Sequence, residues 1–163
     1  MEEAGGAADD VRAGDEMVGY YVFNASQAPN HSSDTLGAYY VSNVPNQFEL
    51  YASVGKLHIA SFDHQIREFD SEMFVHNNDA APGYPPEDAY EVFCWEAKVT
   101  DAFGVEAGFF FQLRTDSNLD ALSSTALPLL PPPLDKFQIN SITLNIGGQG
   151  YVGGRLTSLT RSL

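Results

Sequence analysis

AYEVFCWEAKV, residues 89–99, and EAGFFFQLR, residues 106–114, decide how this chain folds. In the first, Tyr90, Val92 and Cys94 alternate with Phe93, Trp95, Ala97 and Val99; in the second, Ala107, Phe109, Phe111 and Leu113 share one face. A period of two marks β-strands. The first stretch is apolar on both faces until Glu96 and Lys98, which predicts a strand that is central at its start and half solvated at its end. Asp101 to Gly104 supply the turn between the two. Burying such side chains contributes about 1.5–3 kcal/mol each, so this pair is the expected heart of the core.

Working outward, QFELYASV (residues 47–54) alternates cleanly, with Phe48, Leu50, Ala52 and Val54 on one face. Gly55-Lys56 is a tight turn into KLHIASF, predicting a hairpin. MVGYYVFN (residues 17–24) is apolar on both sides, a strand buried on both faces or placed at a sandwich edge. GAYYVSNV and MFVH are shorter strands, and ASQAPNHSSDT (residues 25–35) is turn chemistry. DHQIREFDSEM (residues 63–73) fits a short helix or an irregular strand. AAPGYPPED (residues 80–88) is a rigid loop, because its prolines remove backbone donors. Near the C-terminus Phe137 and Ile139 alternate, then Ile142, Leu144 and Ile146 alternate in the opposite phase, which predicts a β-bulge near Asn140-Ser141. GGQG turns the chain into a last strand, YVGGRLTSL.

The expected fold is all-β: an antiparallel β-sandwich or flattened barrel of about 8–10 short strands with little helix. With 163 residues the chain is long enough for one sizeable core. Residues 1–16 hold six carboxylates and almost no large apolar side chain, which predicts a disordered acidic tail before a single β-sandwich domain over residues 17–163.

LDALSSTALPLLPPPLDKF (residues 119–137) separates the two β-patterned regions. Pro128, Pro131, Pro132 and Pro133 exclude a central strand or a helix interior. Leu122, Leu127, Leu129, Leu130 and Leu134 are too apolar for a solvated linker, so the segment is expected to lie as an extended connector over a sheet edge or the core.

This stretch, with the closing GGRLTSLT of residues 153–160, resembles the C-terminal half of a β-rich domain found in bacterial exported proteins of the PEP-CTERM type. VHNND (residues 75–79) followed by DAYEV (residues 88–92), and SSDTLGAYY before QFELYASV, fit the same pattern, so the resemblance spans about residues 20–160. It implies a β-rich fold and an exported or extracellular location; no activity is attached to that domain class. The chain shows no signal peptide and no Pro-Glu-Pro tail, and the expectation of export rests on the domain pattern.

Eight basic against 22 acidic residues give a formal charge of −14. Such a surface repels nucleic acid and anionic membranes. No apolar run approaches the roughly 18 residues of a transmembrane segment. Cys94 is the sole cysteine, which excludes an intrachain disulfide framework, and its apolar surroundings in EVFCWEAKV predict a small buried residue.

His58, His64 and His76 are the candidate catalytic side chains, drawn from neighbouring strands where imidazoles and a carboxylate such as Asp63 or Asp79 can converge. Their spacing matches no compact metal signature. Asn78, Asp79 and Asp88 flank the proline loop and offer hard oxygen ligands suited to calcium; the alternative is their use as turn formers. There is no nucleophile elbow, and GGQGYVGG lacks the Lys-Ser/Thr of a phosphate loop. Acid–base pairs for sugar hydrolysis could come from Glu49, Glu72, Glu91, Glu96 or Glu106. Tyr20, Tyr39, Tyr40, Tyr51, Tyr84, Tyr90 and Tyr151 could line a sugar- or ligand-binding face, though most are expected to pack against the core.

These readings lead to an exported, non-catalytic β-sandwich acting as a binding or structural module of a bacterial envelope or extracellular matrix, with polysaccharide or self-association as its partner. Two alternatives stand beside it: a small enzyme using a histidine and a carboxylate in a cleft, and a self-assembling subunit that pairs exposed edge strands.

Overall fold

The computed structural model describes residues 11–24, 26–41, 48–55, 57–61, 71–80, 82–99, 106–146 and 150–161. The strands are β1 (Met17–Phe23), β2 (His31–Ser32), β3 (Leu36–Val41), β4 (Phe48–Val54), β5 (Leu57–Ser61), β6 (Ser71–Asp79), β7 (Glu87–Val99), β8 (Glu106–Thr115), β9 (Ile139–Ile146) and β10 (Gly150–Arg155). Among the described residues the one helical element is a 3₁₀ turn, Leu134–Lys136. All pairings are antiparallel. The fold is an all-β antiparallel sandwich, and its sheets do not close into a barrel.

The larger layer is a seven-stranded sheet in the order β2-β3-β6-β7-β8-β9-β10. β7 runs 13 residues, long enough to serve two partners along one edge. Its first half pairs with β6 (Val92 with Met73, Tyr90 with Val75), and its last residues pair with β5 (Val99 with Ile59). β4 pairs with β5, and β1 with β4, so the chain folds β1 and β4 back over the sheet as a second layer.

The alternation expected for β7 and β8 is what fills the space between the layers. Tyr90, Val92, Cys94, Phe109, Phe111 and Leu113 are buried, together with Met73 and Val75 of β6, Leu144 and Ile146 of β9, and Ala52 and Val54 of β4. The layers meet at a trio of rings: Tyr21 of β1 lies 5.9 Å from Phe111, and Tyr90 meets Phe111 edge-on at 5.8 Å. The hydroxyls of Tyr21 and Tyr90 share a 3.2 Å hydrogen bond, so the polar tips of the buried Tyr90 ring and the partly buried Tyr21 ring satisfy each other.

The segment 119–137 lies over the core, as its leucines required. Ala121, Leu127 and Phe137 are buried, and Leu122 and Leu134 pack against the cluster. Leu129 and Leu130 differ from expectation and are 69% and 68% exposed. They directly precede the proline run, where the extended backbone cannot turn every side chain inward. Gly37 of β3 is required beneath this segment, because a Cβ there would run into the Thr125 carbonyl oxygen. Tyr39 donates a 2.8 Å hydrogen bond to that same oxygen.

A further tie is Asp88, fully buried at the start of β7. One carboxylate oxygen accepts the Asn78 N–H and the other the Leu122 N–H, each at 2.8 Å. Asn78 sits at φ 55° in the left-handed region, within a register shift of the β6–β7 ladder between His76 and Asp79. Asp88 therefore clamps a β-bulge on one side and the proline-rich crossing on the other.

The bulge expected near Asn140-Ser141 is absent. β9 pairs with β8 in unbroken register from Ile139–Arg114 to Ile146–Ala107. The phase change marks the start of the strand instead: Phe137 is buried just after the 3₁₀ turn, Ile139 faces out, and Asn140 takes the inward phase with Ile142, Leu144 and Ile146. Asn140 is accommodated there because its Oδ1 accepts the Arg155 Nε–H at 2.8 Å. Residues 1–10 of the acidic segment, the turn at 101–104 and most of 63–73 lie outside the described residues, and Val11 packs against the core.

Asp88→Ala removes the buried acceptor of two backbone N–H groups at about 1–3 kcal/mol each, so a loss of about 2–5 kcal/mol is expected in urea unfolding, with new protease cleavage between residues 119 and 137. A loss below about 1 kcal/mol would contradict the clamp. Tyr21→Phe and Tyr90→Phe should each cost about 1 kcal/mol, and the double variant less than the sum. Burial raises the pKa of Tyr21 and raises that of Tyr90 well above its ordinary value. Their contribution is whole below the ordinary tyrosine pKa of 10.0 and fades as pH climbs toward the raised folded values, which melting curves from pH 8 upward would record as a steeper decline in wild type than in either Phe variant.

Candidate functional site

Side chains of one parity on β6, β7 and β8 point away from the core, and these build a cleft on the outer face of the larger sheet. His76, Asp79, Tyr84, Pro85, Glu87 and Arg114 line an open hollow of about 330 Å³. The strands supply His76, Glu87 and Arg114, which neighbour one another through the ladder. The loop after β6 supplies Tyr84 and Pro85. Gly83, at φ 86°, allows the tight turn that brings Tyr84 to the rim, where it is 69% exposed.

The bulge in β6 re-aims Asp79 back along its own strand. Its Oδ2 lies 2.9 Å from His76 Nδ1, and its Oδ1 accepts the Thr35 hydroxyl at 2.7 Å. The far side of the imidazole, Nε2, is 3.9 Å from a Glu91 carboxylate oxygen, whose other oxygen accepts the Gln112 side-chain N–H at 2.6 Å. Glu87 is ion-paired with Arg114. The outer face thus carries a hydrogen-bonded trio of Thr35, Asp79 and His76, with the Glu91–Gln112 pair beyond the far side of the imidazole, beside one compensated ion pair.

The hydrogen bond from Thr35 lowers the pKa of Asp79; partial burial opposes this, and contact with His76 adds to the lowering. Asp79 is therefore a fixed anion around neutrality. A carboxylate stabilised in this way is a weak base and a poor proton donor, and its effect is to hold and orient the imidazole.

An aromatic row leads away from the cleft over the same face. Phe74 lies 6.3 Å from the His76 ring, Tyr40 and Phe93 meet Phe74 at 6.3 and 5.8 Å, and Phe110 stacks on Phe93 at 4.4 Å.

The candidates read from the sequence separate in space. His76 and Asp79 come together. His58 lies on β5 in the other layer, with Nδ1 3.1 Å from the Tyr51 hydroxyl, and His64 lies outside the described residues. Asp88 neighbours Glu87 on β7 but points to the opposite, buried face, where both its oxygens take backbone N–H groups. The Asn78 side-chain amide donates to Asn77 Oδ1 and the Leu119 carbonyl. Among the described residues no three His, Cys, Asp or Glu side chains gather closely enough to hold a metal ion, and no helix is long and apolar enough to cross a membrane.

Glu87, Glu91 and Arg114 are the site residues that spacing did not bring to His76. The signal was the strand parity of β7 and β8, which places Glu87, Glu91, Gln112 and Arg114 on one face once the register is known.

Removing the Thr35 hydroxyl should move the Asp79 titration. The wild-type carboxyl carbon is expected to titrate below the ordinary aspartate value of 3.8, and in Thr35→Val its midpoint should rise toward it, as read by NMR. Because the folded pKa is depressed, the stability this group contributes is present above that ordinary value and lost as pH falls through the folded value.

Comparison of the chain with known protein families, with curated proteins and with solved structures finds no match.

Proposed function

We propose that this chain is a non-catalytic β-sandwich binding module of a bacterial envelope or extracellular matrix, and that its outer-face cleft takes a neutral polyhydroxylated ligand, a segment of polysaccharide. The observation that carries the reading is Tyr84, 69% exposed at the rim of a hollow where Glu87 is ion-paired with Arg114 and Asp79 is hydrogen-bonded to Thr35 and His76. An exposed ring beside Pro85 offers a flat apolar platform of the kind that suits the C–H face of a sugar, and its hydroxyl remains available at the edge. Below it, Arg114 and His76 supply donors while Glu87 and Asp79 supply acceptors, a mixed set suited to hydroxyl groups.

The charge balance narrows the ligand class. Glu87 is offset by Arg114, so the cleft has no surplus cation to attract an anionic ligand, and the chain as a whole carries −14. An uncharged ligand avoids that field. Binding is favoured over proton-transfer chemistry because Asp79 is held ionised with both oxygens engaged and Glu87 is committed to Arg114. The exported location rests on the similarity of residues 119–160 to the bacterial exported domain.

The test is retention of the purified protein in gels containing neutral glycans such as β-glucan, xylan or mannan, against acidic alginate. Retention by a neutral glycan is expected, weakened about tenfold, or roughly 1.4 kcal/mol, in Tyr84→Ala, with no release of reducing ends. Retention unchanged by Tyr84→Ala, or seen only with alginate, would remove the cleft reading. Reducing ends that disappear in His76→Ala would replace it with an enzyme. Recovery of the native protein from the cytosolic fraction of its cells would remove the exported part.

A further inference from the structure

β3 (LGAYYV), β9 (INSITLNI) and β1 (MVGYYVF) carry no charge, and of these three β1 is the one that ends its row of strands. Among the described residues it is hydrogen-bonded along one edge, to β4. Its outward side chains are apolar and open, with Val18 53%, Tyr20 52% and Val22 50% exposed. An uncharged edge strand with an apolar outer stripe is a template for another strand, and protein surfaces ordinarily block such edges with charges or prolines.

We infer that β1 pairs antiparallel with β1 of a second copy of this chain, about a two-fold axis through Tyr20. The occupant follows from the strand's symmetry. Antiparallel pairing centred on Tyr20 sets Val18 against Val22, Tyr20 against itself, and Met17 against Phe23, so an apolar residue meets an apolar residue at every outward position. A two-fold interface needs this self-complementarity, and an unrelated partner would not select it. The same register places Glu16 opposite Asn24 and avoids facing carboxylates at the strand ends. Two chains of −14 each repel, so they can approach only where charge is missing, and β1 is such a place. Tyr20 is already stacked on Tyr51 at 5.7 Å, and Tyr51 on His58 at 6.3 Å, so a second Tyr20 extends an existing row. This pairing joins the two small layers into one continuous sheet on the side of the molecule away from the His76 cleft, and it holds whether or not the cleft binds a glycan.

Register-specific cross-linking on the full chain tests it. Residues directly opposite in an antiparallel pair have Cα atoms about 4.5–5.5 Å apart, within disulfide reach, and Cys94 is buried and does not compete. Tyr20→Cys should form a covalent dimer under mild oxidation. Val18→Cys alone should not, while a mixture of Val18→Cys with Val22→Cys should. Wild-type protein should sediment at twice the 17.8 kDa chain mass, with association at least tenfold weaker at 50 mM than at 500 mM salt, because screening relieves the repulsion. Tyr20→Lys should be monomeric with an unchanged far-ultraviolet circular dichroism spectrum. A wild-type monomer at every concentration, a Tyr20→Lys dimer, or a Val18→Cys self-cross-link would each overturn the pairing. A Tyr20→Lys variant that fails to fold leaves the cysteine series, whose small side chains the exposed positions tolerate, to decide.

Discussion

The buried carboxylate of Asp88 is the constraint on which both faces of the larger sheet depend. A carboxylate with no exposure would be very costly without partners, and here two backbone N–H groups satisfy it through charge-assisted bonds. Asn78 brings one of them, and with it the left-handed residue that makes the β6 bulge. That bulge swings Asp79 back toward His76 on the outer face. Leu122 brings the other, and with it the proline-rich crossing that covers the core. One side chain therefore couples the lid of the interior to the geometry of the exterior cleft.

The second organising element is the length of β7. A strand of ordinary length can hydrogen-bond one neighbour per edge, but 13 residues allow β6 and β5 to share an edge end to end. The chain after β5 can then return to the large sheet, while β4 and β1 fold over it. The two layers are held by Tyr21, Phe111 and Tyr90, whose rings supply buried apolar area and whose two hydroxyls need no water. This arrangement leaves β1 at the margin of the small layer, with one face on the core and the other outside.

Much of the architecture was legible in the residues. Alternation in β4, β7 and β8 identified strands and buried faces together, since side chains two apart share a face. The Gly55 turn and the crossing of residues 119–137 followed from backbone chemistry. The phase slip between Ile139 and Ile142 predicts a bulge that the structure does not have, because a strand start after a 3₁₀ turn produces the same pattern as an inserted residue. The paired exposure of Leu129 and Leu130 was equally hidden, since composition does not reveal which side of an extended segment meets the sheet.

The sequence by itself determined the all-β class, the positions of most strands and the buried faces of β7 and β8, because these depend on local periodicity; it did not show β2 inside residues 25–35, nor that the Val18, Tyr20 and Val22 face of β1 lies open. Only the tertiary structure decided which carboxylate does what. Asn78, Asp79 and Asp88 lie close together in the chain and invite one reading as oxygen ligands, yet the pleat sends Asp88 inward and the bulge sends Asp79 outward. His58 and His76 likewise fall on different layers, and Glu91 and Arg114 reach the His76 face through strand pairing. Pairing register and bulge position are set by packing across the whole sheet, and a chain read residue by residue does not contain them.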